Sequence, residues 1–198
     1  MMKASKLMVA LLLVCCLVGC NTTTDPKAET LFSSATDNQS TPPAEYAPFS
    51  TAKSSDGGYI YRIYDGNTLV EEKYSFREPS CQYVTDTLIF VTVQTGTGRS
   101  TNWGFFYDFS SHTRSNTFDW VLDFTESKVI TGDPDKVVIE SIFSDDYYFE
   151  FTDFDQPLAH VADSIIYADF TEDNSAVTVT YVVDGTYELA TQTFLLPK

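Results

Sequence analysis

Strict alternation of apolar and polar side chains is the feature that most narrows what this chain can fold into. YYFEFT sets Tyr147, Phe149 and Phe151 against Tyr148, Glu150 and Thr152. FDWVLDF sets Phe118, Trp120, Leu122 and Phe124 against Asp119, Val121 and Asp123. AVTVTYVV sets Val177, Val179, Tyr181 and Val183 against Ala176, Thr178 and Thr180. Successive side chains of a strand point to opposite faces, so a period of two marks strands with one buried and one wet face. Tyr, Phe, Val, Ile and Thr supply the bulk that suits a pleated surface.

Turn chemistry punctuates these runs. Asp65-Gly66-Asn67 separates YIYRIY from TLVEEKY, and Asp184-Gly185 separates TVTYVV from TYELATQTF. An Asp-Gly pair between alternating runs is a strong hairpin signal. Gly96-Thr97-Gly98, Gly132-Asp133-Pro134, Ser144-Asp145-Asp146 and Glu172-Asp173-Asn174 mark further turns. About ten to twelve short strands follow, with no amphipathic helix among them. The expected class is all-β and antiparallel, hairpin-connected, arranged as a β-sandwich or open barrel. A faint repeat, VTDTLIF (84–90) against VADSIIY (161–167), suggests an alternative: a propeller-like stack of about three small sheets.

The organisation along the chain is uneven. MMKASK carries Lys3 and Lys6 and precedes an apolar run from Leu7 to Val18, too short to span a bilayer comfortably. A basic start and a short greasy core read as a secretory signal over residues 1–19. The segment Leu17-Val18-Gly19-Cys20 resembles the lipobox of bacterial lipoproteins. That resemblance implies a diacylglycerol on the Cys20 thiol, cleavage before Cys20, and attachment to the extracytoplasmic face of a bacterial cell membrane. Cys15 and Cys16 would leave with the signal. Two or more acyl chains anchor stably, since each buried methylene contributes about 0.8 kcal/mol.

Residues 20–55 read as the lipidated cysteine and a disordered tether rich in Ser, Thr, Pro and Ala. Leu31, Phe32, Tyr46 and Phe49 are its only large apolar side chains, too few to offset the entropy of ordering it. Residues 56–198 are expected to form a single all-β domain.

Charge and cysteine content exclude several functions. The chain carries 28 acidic against 12 basic side chains, a formal charge of −16. Such a surface repels nucleic acid and anionic headgroups, so the expected partners are the membrane, through its anchor, and a protein or glycan of the envelope. After processing, Cys81 would be the one remaining thiol, which leaves no disulfide framework and reads as a small buried hydrophobe.

Catalytic signatures are lacking: there is no GxSxG and no HExxH, and GTGRS (96–100) lacks the lysine of a phosphate loop. Carboxylates gather in turns, at Asp145-Asp146 and at Asp153 and Asp155, where calcium could find oxygen ligands. No cofactor is otherwise expected. The favoured reading is a non-catalytic binding or structural domain on a lipid anchor. Its rivals are a glycan-acting surface hydrolase using paired carboxylates, and a calcium-dependent adhesion or assembly module. Rings on both faces of Trp103-Gly104-Phe105-Phe106-Tyr107, with Tyr59, Tyr61 and Tyr64, mark either a strand buried on both sides or an exposed stacking surface.

Overall fold

The computed structural model describes residues 47–98, 101–161 and 163–197. Residues 1–19, Cys20 and most of the tether lie outside the described residues.

Four antiparallel sheets follow one another along the chain. The first contains β1 (Phe49–Lys53), β2 (Tyr59–Asp65) and β3 (Thr68–Ser75). The second contains β4 (Ser80–Tyr83), β5 (Leu88–Gln94), β6 (Asn102–Asp108) and the two-residue strands β7 (Thr113–Arg114) and β8 (Phe118–Asp119). β9 (Val121–Phe124), β10 (Lys128–Asp133), β11 (Lys136–Ser141) and β12 (Tyr148–Phe151) form the third. β13 (Ile165–Phe170), β14 (Ala176–Val182) and β15 (Leu189–Leu195) form the fourth.

The class is therefore all-β, antiparallel and hairpin-connected, as the alternation requires. Of the two architectures, the stack of small sheets is the one present, with four sheets and fifteen strands, and no sheet closes into a barrel. Each sheet is too small to bury its faces alone, so neighbours cover one another in series.

Three apolar layers fill the gaps. Between the first two sheets lie Tyr61 and Ile63 against Ile89, Val91, Val93, Phe105 and Tyr107. Leu88, Phe90, Phe106 and Phe118 turn the other way, onto Val129 and Ile142 of the third sheet and its flank. The opposite face of the third sheet packs Ile130, Val137, Ile139 and Phe151 on Ile165, Ala168, Val177, Val179 and Tyr181. The ring-bearing run in β6 is thus buried on both sides: Phe105 and Phe106 are both wholly buried and face different layers. Rings supply much of this packing, as in Phe90 on Phe106 with centroids 4.6 Å apart and Phe151 on Phe194 at 4.4 Å.

Three details depart from the reading of the sequence. The first strand begins at Phe49, inside the stretch assigned to the tether, because Phe49 stacks on Tyr61 (centroids 6.3 Å) and the strand pairs along β2. FDWVLDF is not one strand. Trp120 adopts φ +47°, and the break sends Phe118 into the layer between the second and third sheets and Trp120 into the layer between the third and fourth. The faint repeat does not mark a sheet unit either, since one copy leads into the second strand of its sheet and the other into the first.

Candidate functional site

The acidic residues singled out from the sequence are not brought together. Asp145 and Asp146 occupy the β11–β12 connection, and Asp153 and Asp155 follow β12. The four-residue strand β12, about 13 Å long, lies between the two pairs. Asp146 accepts hydrogen bonds from the hydroxyls of Ser144 and Ser141, which hold its carboxyl below the usual range. The Asp153 carbonyl accepts from Gln192 Nε2 at 3.2 Å, while the Asp155 N–H donates to Gln192 Oε1 at 2.7 Å. Asp146 and the backbone of Asp153 and Asp155 thus fasten turns. Among the described residues no group of three or more His, Cys, Asp or Glu side chains is placed to hold a metal ion.

A second acidic region went unnoticed in the sequence. Asn116, Thr117, Asp119, Thr131, Asp133 and Glu140 line an open recess of about 560 Å³ where the second and third sheets diverge. Burial, and then the neighbouring Asp145, push the Glu140 carboxyl upward. Sequence spacing could not have found it, because the recess joins residues of β8, β10 and β11.

The most connected polar groups lie between the first and second sheets. Glu71 accepts from Tyr61 Oη at 3.0 Å and Arg114 Nε at 2.8 Å, and it pairs with Lys73 Nζ at 3.0 Å. Burial raises its pKa, but Lys73, Arg114 and Tyr61 together outweigh that and hold it below the usual value. Arg114 also lies over the Phe105 ring, 3.9 Å from the centroid. At the far end of the same hairpin, Asp65 Oδ2 takes His112 Nδ1 at 2.5 Å and Tyr107 Oη at 3.0 Å. Ser110 and Ser111, the hydroxyls next to His112 in the chain, are bonded to Asp108. The arrangement is an electrostatic clasp between two sheets, with no hydroxyl poised as a nucleophile. Burial pushes the Cys81 thiol up to about 11, which disfavours its thiolate at neutral pH, and it packs against the first apolar layer.

The outer face of the fourth sheet is built differently from these recesses. β14 pairs with β15 so that Thr178 meets Thr193 and Thr180 meets Thr191. Their hydroxyls bond across the strands at 3.2 and 3.1 Å. Asp169 and Tyr167 continue the two rows on β13. Leu189 and Leu195 flank the threonines, 63% and 79% exposed. Asp169 is the one formal charge on this face of the three strands.

Fold and surface together define an all-β stack whose core lies between its sheets and whose last sheet presents a nearly neutral, hydroxyl-rich face. Comparison with protein-family models and with curated proteins finds no match.

Proposed function

We propose that the chain is a membrane-anchored surface lipoprotein, lipidated on Cys20, whose β domain binds a component of the cell envelope without catalysis. The observation that carries the binding reading is the outer face of the fourth sheet. Sheet faces left open to water ordinarily carry charge, and this chain has acidic residues to spare. Here Thr178, Thr180, Thr191 and Thr193 stand in paired rows beside Tyr167, Leu189 and Leu195. Each threonine hydroxyl offers one donor and two acceptor sites, and a shared Thr–Thr bond leaves capacity on both partners. A neutral, polyhydroxylated ligand suits such a face, with rings and leucines covering its apolar patches.

Retention of neutral envelope polysaccharide by the immobilised protein tests this reading. Tyr167→Ser should weaken retention about tenfold, as losing an aromatic contact at an interface costs about 1–2 kcal/mol. The rival reading, a carboxylate hydrolase, rests on the raised Glu140 in the recess with Asp119 and Asp133. Shortening of the polysaccharide by the parent but not by Glu140→Gln would establish the rival and overturn the binding reading. The anchor is tested separately: Cys20→Ser should remove the acyl mass from the protein and release it from the membrane fraction or leave it as precursor.

A further inference from the structure

We propose that the free edge of β15 pairs antiparallel with β15 of a second copy, joining two three-stranded sheets into one of six strands. The inference stands apart from the glycan and anchor readings, since it concerns the strand's backbone edge.

The hydrogen-bonding phase of β15 is fixed at both ends. Leu196 N–H donates to the Ser175 carbonyl at 2.9 Å, and Val183 N–H donates to the Glu188 carbonyl at 2.8 Å. With the printed register, Ala190, Gln192 and Phe194 therefore direct their backbone groups at β14. Leu189, Thr191, Thr193 and Leu195 direct theirs outward. Among the described residues these outward N–H and C=O groups have no partner. A row of unpaired groups on an extended strand about 23 Å long is a template for another strand.

The occupant follows from sequence and charge. Leu189-Ala190-Thr191-Gln192-Thr193-Phe194-Leu195 reads nearly the same in both directions about Gln192. A two-fold axis through Gln192 sets Leu189 against Leu195 of the partner subunit, and Thr191 against Thr193 of the partner subunit. These are the outward-facing residues, so each such pair exchanges two backbone hydrogen bonds. The threonine rows then run on without a break, from Thr178 and Thr193 to Thr191 and Thr180 of the partner subunit. Cross-strand Thr–Thr and Leu–Leu neighbours are favourable pairs, and the exposed leucines gain cover.

Two copies of a chain with a net charge of −16 repel each other, so contact is favoured along a strand whose own side chains carry no charge. Edge strands are usually blunted with charge. β1 carries Lys53, β3 carries Glu71, Glu72 and Lys73, and β13 carries Asp169; the edges β4 and β15 carry none, and β4 has only four residues against the seven of β15. Asp153 and Asp155, held under the strand by Gln192, bring like charges near the axis, so screening by salt strengthens the pairing.

Sedimentation of the full-length protein in detergent, at low and high salt, tests the inference. The expected result is a monomer–dimer equilibrium that shifts toward dimer as salt rises. Thr193→Pro removes an outward N–H and no bond to β14, so it should abolish the dimer while the β spectrum is retained. Thr191→Lys supplies a second variant that puts charge on the edge and should also run as monomer. In oxidised membranes, Thr191→Cys/Thr193→Cys should give a disulfide-linked dimer on a non-reducing gel, with the parent as control for its own cysteines. A parent that stays monomeric at both salts, or a dimer that survives both edge variants, overturns the proposal.

Discussion

At Glu71 one carboxylate gathers three donors from three different strands or positions, and this makes it the most sensitive polar position of the first two sheets. Its side chain is only 10% exposed, and Arg114 depends on it for charge compensation. Glu71→Gln should destabilise the protein by about 2 kcal/mol, since hydrogen bonds to charged groups contribute about 1.5–3 kcal/mol each and Gln keeps part of the geometry. The pH dependence follows from the lowered folded-state pKa. A depressed carboxylate adds stability that is complete above its unfolded value, near 4.5, and that is lost as pH falls through the lower folded value. Urea unfolding of the parent should therefore lose stability below about pH 4.5, and Glu71→Gln should lose less over the same window. Cys81 offers a second check at this scale. With its thiol pushed up to about 11, reaction with a thiol reagent at pH 8 should be slow in the native protein and fast in urea. Alternation in YIYRIY shows that Tyr61 faces inward. That Glu71 meets Arg114, 43 residues away, is not legible in the sequence, because charge pairs between sheets follow from stacking and leave no periodic trace.

Glycine positions decide how closely strands and rings approach within each element. Gly66 and Gly185 adopt φ +58° and +75° in the turns announced by their Asp-Gly pairs, so these hairpins were legible. Gly104 in β6 was not. A Cβ there would meet the Phe90 ring at 2.5 Å and the Val91 carbonyl at 2.8 Å. Phe90 on β5 pairs with Phe106, two positions along the ladder from Gly104, and its ring lies against both Phe106 and the glycine. Gly104→Ala should cost about 1–3 kcal/mol through overpacking, and Phe90→Leu in the same chain should return part of it; thermal melting of the single and double variants reads the coupling. Gly132 repeats the device with Trp120, whose ring lies 2.6 Å from where a Cβ would stand. Trp120 also explains why reading FDWVLDF as one strand fails. Periodicity carries FDWVLDF across as a single face, but it cannot register a left-handed residue that divides a sequence between two sheets. The same limit kept the number of sheets out of reach. An alternating pattern tells which side chains share a face, and says nothing of what covers that face.

Stacking in series distributes stability unequally over the molecule. The second and third sheets are covered on both faces, whereas the first contributes only Tyr61 and Ile63 as buried apolar residues, and most of β3 is exposed. What holds the first sheet is one apolar layer plus the two clasps, Glu71 with Arg114 and Asp65 with His112 and Tyr107. Regions with few buried apolar contacts open at a free energy below that of global unfolding. Native-state hydrogen exchange should accordingly show β1, β2 and β3 opening together, ahead of β5, β6, β10 and β11. Acid should widen the gap, because the Glu71 and Asp65 carboxyls are both held below their usual values and both release their partners on protonation. For Asp65 the largest cause is the hydrogen bond with His112, which outweighs a raising effect of burial, with Tyr107 adding to it. After correction for the intrinsic exchange rate, protection of Tyr61 and Ile63 should fall between about pH 4.5 and pH 3 more than that of Ile130 and Ile139, since both carboxyls protonate below their unfolded values of 4.5 and 3.8. Ile130 and Ile139 lie in the layer between the third and fourth sheets, away from both clasps. Equal losses in the two layers would mean that the stack opens as one unit and that the clasps do not set the order.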